Sequence, residues 1–228
     1  SCFNTKRDYK AEITLFYRLV GKKATEVTLH DLIAYREGLE TRGLKPATIA
    51  KKLTVLRRLF TFLYEQGVIP INPSAGVKLP KVSNETTREI LTLAECNQLL
   101  ASIETATTRG KRDKAILALL LINGLRVCEI TRANAGDLMQ TEGCLVLRVR
   151  GKGGKNIDTR IRDDVREVIQ SYVSTRGTLQ EKDSLFIGTT HRAKDRITRR
   201  NVQHMVKVRL KRLGINRPHV STHSLRHS

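Results

Sequence analysis

Aromatic side chains make up only 4% of the 228 residues, and tryptophan is absent. That supply disfavours a protein that stacks single-stranded bases on aromatic platforms. The four cysteines, Cys2, Cys96, Cys128 and Cys144, are scattered. Without a Cys-x-x-Cys pair or a partnered histidine spacing they imply neither a zinc site nor a disulfide framework, and a reducing compartment is the default. No apolar run reaches the roughly 18 residues of a membrane span, and no charged-then-apolar leader precedes the first predicted helix. Acidic residues are the scarcest relative to need: 22 Asp and Glu face 42 Lys and Arg, a formal charge of +20. Solubility alone asks for a net charge of about 2 to 8. The excess points to a polyanion, and nucleic acid is the commonest one, because each neutralised phosphate releases condensed counterions.

What is present reads as two domains. In the first, Asp8 to Val20 is weakly amphipathic, and Thr28 caps a second helix carrying Leu29, Leu32, Ile33 and Leu39, with Asp31 in its first turn. Pro46 starts a third, in which Ile49, Leu53, Leu56, Phe60 and Leu63 form one stripe at helical spacing. Off that stripe stand Lys51, Lys52, Arg57 and Arg58, either a solvated face or a track for a phosphate backbone. A stretch rich in proline and glycine follows Gly67, and the boundaries are set at 1–82 for a helical domain, 83–89 for a linker and 90–228 for a second domain.

The second domain is predicted to be mixed α and β but mostly helical. Thr92 to Ile103 and Asp113 to Asn123 read as helices, the latter with the buried core "AILALLLI". "CLVLRVR" and "NIDTRIR" flank "GKGGK" as a hairpin, the signal of a small antiparallel sheet. Asp163 to Thr175 is helical, "SLFIG" is a short strand, and Thr198 to Leu213 is a basic helix that includes Arg199 and Arg200. From His191 onward eleven Lys or Arg face one acid, Asp195. The positive field is therefore concentrated there.

Three motifs bear on chemistry. "GKGGK" is no nucleotide loop, since Asn156 follows Lys155 where a Ser or Thr is required, and a strand follows the loop. It is either an exposed turn or a device that carries Lys152 into a groove, with Lys155 against backbone. In "NGLRVCEI", Arg126 and Glu129 share one helical face just after a glycine break, so the carboxylate can brace the guanidinium; an ordinary ion pair reads the same way. In "HVSTHSLRHS", Ser221 or Thr222 would cap a helix whose first turn holds His223 and Arg226, an arrangement that attracts phosphate. His223 and His227 lack the Glu of a zinc-binding His-Glu-x-x-His, so no metal is assigned. Two arginines, a lysine and a histidine without a carboxylate cluster describe phosphoryl transfer without Mg²⁺.

"NGLRVCEI", "VRGKGGKN" and "HSLRH" resemble, in order and spacing, the Arg, Lys and His-x-x-Arg boxes of tyrosine recombinases, the family of Xer recombinases and phage or transposon integrases. "GLKPATIAKKLTVLRRLFTFLYEQGVIPINPSAGVKLPK" is similar to the end of that family's helical core-binding domain and its linker. The resemblance implies a helical core-binding domain and a mostly helical catalytic domain forming a C-shaped clamp around duplex DNA, with strands cut and rejoined through a 3′-phosphotyrosine. It implies that Arg126 and Arg226 bind the scissile phosphate, that Lys152 protonates the leaving 5′-oxygen, and that His223 hydrogen-bonds the phosphate or assists proton transfer. Glu129 would brace the site, and Lys51, Lys52, Arg57, Arg58, Lys155, Arg199 and Arg200 would touch DNA. No cofactor is implied, because the covalent ester conserves the bond energy. The implied partners are duplex DNA and further copies of the chain, a tetramer in the intact synapse, in the cytoplasm on the nucleoid.

In that family the attacking tyrosine follows the last box by some tens of residues. Here Tyr9, Tyr17, Tyr35, Tyr64 and Tyr172 all precede it. The expectation is a chain cut before its nucleophile, which binds its site but forms no covalent intermediate alone. The rival is a non-catalytic DNA-binding regulator or decoy on the same scaffold. A ribosomal or other RNA-binding protein would account for the charge alone.

Overall fold

The computed structural model describes residues 2–82, 89–151, 154–188, 195–217, 220–222 and 224–227. They divide into two compact units, Ser1–Thr86 and Thr87–Ser228. Most of the predicted linker, residues 83–88, lies outside the described residues, as do Lys152 and His223.

The first unit is built from α1 (Cys2–Val20), α2 (Leu29–Thr41) and α3 (Pro46–Glu65). Thr28 caps α2 as its sequence predicts: its hydroxyl accepts the Asp31 N–H, and the Asp31 carboxylate accepts the Thr28 N–H. These satisfy two amide donors that a helix start otherwise leaves open. The predicted α3 stripe is the buried one: Ile49, Leu53, Leu56 and Phe60 are 2% exposed or less. They close on Phe16, which meets the rings of Tyr35 and Phe60 edge-on. Beside this core Glu12 is buried and accepts hydrogen bonds from Tyr35 Oη at 2.6 Å and from Lys52 Nζ. One carboxylate thus ties all three helices together.

In the second unit α5 (Thr108–Leu121) is the central post, with every residue from Ala115 to Leu120 buried. α4 (Leu93–Ala101), α7 (Asp163–Val173) and α8 (Arg199–Arg212) pack on it. A three-stranded antiparallel sheet of β1 (Leu138–Thr141), β2 (Cys144–Arg150) and β3 (Asn156–Arg160) runs in the order β1-β2-β3. Leu145, Leu147 and Val149 of β2 point into the core by strand alternation. Between β2 and β3 the chain turns through Gly151–Lys155, closed by Gly151 N–H to Lys155 O at 2.8 Å. Gly154 has φ +82°, a backbone conformation that favours glycine, whereas a Cβ at Gly151 would ask only the exposed end of Ile157 to move.

Three expectations need correction. β1 is not read from the sequence; it pairs with β2 through a two-residue turn in which Glu142 (φ 49°) and Gly143 (φ 77°) both take positive φ, the geometry whose twist suits a hairpin. "SLFIG" forms no strand, only single bridges from Ser184 to Asn134 and from Ile187 to Arg196. The predicted capped helix at Ser221 or Thr222 is instead a four-residue 3-10 turn, Ser224–His227, which begins after His223.

Candidate active site

The site starts where α5 stops. Asn123 Nδ2 donates to Arg160 O at 3.0 Å, fixing the end of the helix against β3. Gly124 then takes φ +61°, and Leu125 N–H bonds back to Leu119 O. The reversed backbone buries Leu125 and leaves Arg126 as the residue before the short helix α6 (Val127–Ile130).

Arg126 and Glu129 form a closed unit. The Glu129 carboxylate accepts the Arg126 backbone N–H through Oε2 and the Arg126 guanidinium Nη1 through Oε1, each at 2.8 Å. The acid side chain is 7% exposed and the base 51%. A buried carboxylate therefore fixes one edge of a guanidinium whose rest faces solvent, and among the described residues Nε and Nη2 of Arg126 have no hydrogen-bond partner.

Arg226 reaches the same place from the other end of the unit. Leu225 is fully buried and anchors the 3-10 turn in the core. This sets the Arg226 stem over Gly124, with its Cγ 3.7 Å from where a Cβ of residue 124 would stand. Gly124 gives the turn its positive φ, and the Arg226 stem lies at ordinary contact distance above it. Among the described residues no carboxylate pairs with Arg226. The stem of Arg226 thus starts beside the glycine that precedes Leu125 and Arg126, and guanidinium forks match phosphate oxygens.

Of the other site residues named from the sequence, Lys155 is exposed at the hairpin, and Arg199 and Arg200 are exposed at the start of α8. Lys51 and Arg57 are exposed on α3, while Arg58 also donates to Tyr9 Oη at 2.5 Å. Lys52 differs: it is partly buried and held by Glu12 inside its own unit. The basic tail is likewise of two kinds. Arg209 donates to Ser102 O, Arg217 grips the Glu95 carboxylate, and Arg196 donates to Thr131 O and Ala133 O. Lys207, Lys211 and Arg212 are exposed on α8. Arg196 carries no sequence signal of this role, because its partners are main-chain carbonyls more than sixty residues away.

Among the described residues no group of three His, Cys, Asp or Glu side chains is placed to hold a metal ion. No described helix is long and apolar enough to cross a membrane.

Known proteins resemble this chain in sequence and in fold. The profile of the phage integrase family matches residues 89–228, and that of the phage integrase N-terminal SAM-like domain matches residues 3–67. The tyrosine recombinase XerC of Thermodesulfovibrio yellowstonii is 29% identical over 229 residues, covering 99% of this chain and 75% of its own length. A λ integrase dimer bound to a COC′ core site superposes with a TM-score of 0.74 at 18% identity, over 98% of this chain and 80% of that one. A λ integrase tetramer bound to a Holliday junction gives 0.73 at 19% identity, over 98% and 65%. The likeness to λ integrase is one of fold; the family match covers all but the first two residues of the second unit, and the chain belongs to the phage integrase family, the tyrosine recombinases.

Proposed function

We propose that this chain, a site-specific DNA recombinase of the tyrosine type, binds duplex DNA and holds its scissile phosphate between Arg126 and Arg226. The observation that carries the reading is the seat of Arg226 on Gly124, two residues before Arg126. In strand cleavage a tyrosine oxygen bonds to phosphorus as the bond to the 5′-oxygen breaks. Charge grows on the non-bridging oxygens of the five-coordinate transition state, and two prefixed guanidiniums stabilise it more than the ground state. Lys152 gives its proton to the departing 5′-oxygen, and His223 hydrogen-bonds the phosphate. Attack of another strand's 5′-hydroxyl on the phosphotyrosine rejoins the backbone, so no nucleotide cofactor enters.

None of the chain's five tyrosines is the nucleophile in this reading. Tyr172 is fully buried and its hydroxyl accepts from Arg176 at 3.0 Å. Tyr35 donates to Glu12, and burial first, then that carboxylate, raises its phenol far above the ordinary value. Tyr9, Tyr17 and Tyr64 belong to the helical unit. Lys51, Arg57, Arg58, Lys155, Arg199 and Arg200 are assigned to the DNA backbone. The λ integrase dimer and tetramer on DNA support a homo-oligomer here, four copies in the synapse. The place of action assigned is the cytoplasm, on the nucleoid.

The test begins with selection of a binding site from randomised duplexes, followed by a scan of single neutral methylphosphonates through it. One position should weaken wild-type binding about tenfold and leave Arg126→Ala indifferent. A scan with no such position removes the shared-phosphate reading. A nicked suicide duplex of the same site should give no covalent product with this chain alone; a phosphotyrosine link to any of the five would overturn their exclusion.

A further inference from the structure

α6 is only four residues long. Such a helix cannot sustain itself, because nucleation fixes several residues for one hydrogen bond. Glu129 closes its start, as described above. At its end the Val127, Glu129 and Ile130 carbonyls accept the N–H groups of Thr131, Arg132 and Ala133. The segment supplying those amides is held in turn by Arg196, whose Nη1 donates to Thr131 O at 3.2 Å and Ala133 O at 2.9 Å while Nη2 donates to Asn134 Oδ1 at 2.5 Å. Ala133 O also accepts the Leu185 N–H at 3.0 Å. Arg196 itself is fixed by its backbone bridge to Ile187 and by the neighbouring bonds from Gly188 N–H to Asp195 O and Ile197 N–H to Phe186 O. The Ile187 carbonyl in turn accepts the buried Arg112 guanidinium at 2.7 Å. Hydrogen bonds thus lead from Arg112 of α5 through Ile187 and Arg196 to the segment that follows α6, beside which Arg126 stands.

We propose that Arg196 is the positioning residue for Arg126, holding α6 so that the Arg126 guanidinium meets the same phosphate as Arg226; this rests on the shared-phosphate reading above. Arg196 touches no substrate. It acts by removing the freedom of α6 to slide or unwind, and small displacements of a binding group cost large factors in affinity and rate.

The test uses the full chain with ¹⁵N-labelled arginine. Inorganic phosphate is titrated while the Arg226 Nε–H resonance, assigned by its loss in Arg226→Lys, reports occupancy. Arg196→Gln should weaken phosphate about tenfold in the wild-type background and not at all in the Arg126→Ala background, since it acts only through Arg126. Arg209→Gln, which removes a comparable bond from α8 to the Ser102 main-chain carbonyl at the end of α4, should lower the melting temperature and leave phosphate affinity unchanged. Arg196→Lys keeps the charge without the fork and should fold while still weakening phosphate severalfold, so it decides the matter if the glutamine variant does not fold. Equal weakening by Arg196→Gln in both backgrounds, or unchanged affinity in Arg196→Lys, overturns the proposal. If Arg126→Ala leaves phosphate affinity unchanged, the shared-phosphate reading falls and this inference with it. An Arg126-dependent site indifferent to Arg196 sinks the inference alone.

Discussion

Glu129 accepts both the main-chain N–H and the guanidinium of Arg126, so one buried carboxylate fixes the position and the direction of the same residue. Replacing it with alanine removes a helix-start acceptor and the brace together. We expect Glu129→Ala to cost about 1–3 kcal/mol of stability in the second unit. Glu129→Gln keeps one oxygen acceptor and should cost less. Chemical denaturation of both variants, together with the methylphosphonate scan, checks the ordering; equal stabilities would refute it.

Gly124→Ala forces a Cβ into the positive-φ region, at a cost of about 1–2 kcal/mol. Its new methyl would stand 3.7 Å from Arg226 Cγ, an ordinary contact, so the stem is not expelled. Gly124→Val adds branches on that side and should displace it. The alanine variant is expected to lose stability but keep phosphate binding, and the valine variant to lose both, as read by melting and by phosphate titration.

The capping parts of the fold were the most legible. Thr28 with Asp31 announces a helix start because both partners lie within one turn of the chain, and the helices expected from Thr92 and Thr198 begin at those residues, each capped by its own hydroxyl. The stripe of α3 was legible for the same reason, and the nearness of Arg126 to Glu129 follows from a three-residue step. β1 escaped because four residues, "LMQT", carry too short a period, and Glu142 is an unusual occupant of a positive-φ turn position. The 3-10 turn at Ser224–His227 was misread as a capped helix because hydroxyl residues signal both. What brings Arg226 to Gly124 is the burial of Leu225 in a core assembled from the whole unit, and no local pattern encodes that. The same holds for Arg112, Arg196 and Arg209, whose acceptors are distant carbonyls.

The cations of α3 should separate by role. Lys51→Gln and Arg57→Gln are each expected to reduce the salt slope of DNA binding by about one and leave stability unchanged. Lys52→Gln leaves the buried Glu12 carboxylate without its cation and should instead destabilise the helical unit by about 1–3 kcal/mol. Binding isotherms at several salt concentrations, beside thermal melts, distinguish the two outcomes. A salt-slope change in Lys52→Gln without a loss of stability would reverse the assignment.

Acid should loosen the second unit through Glu95. Its carboxyl is held below the ordinary range chiefly by the Thr92 N–H and then by Arg217. A lowered folded-state value means that this contribution is complete above the unfolded value, about 4.3 for Glu, and is lost as the pH falls through the folded value. Glu95→Gln should therefore flatten the acid limb of the melting-temperature profile below about pH 4, with little change near neutrality. Asp31, lowered first by Lys22 and then by Thr28, predicts the same for Asp31→Asn in the helical unit.

Arg126 and Arg226 are separated by one hundred residues, and Leu225, beside the second, is locked into a core drawn from the whole of the second unit. During synthesis the first arginine therefore emerges with its brace one hundred residues before the second. In the shared-phosphate reading, grip on the scissile phosphate is timed to the packing of that core: a chain stalled between the two can attract a polyanion by charge, but it cannot engage the reacting phosphate with both arginines.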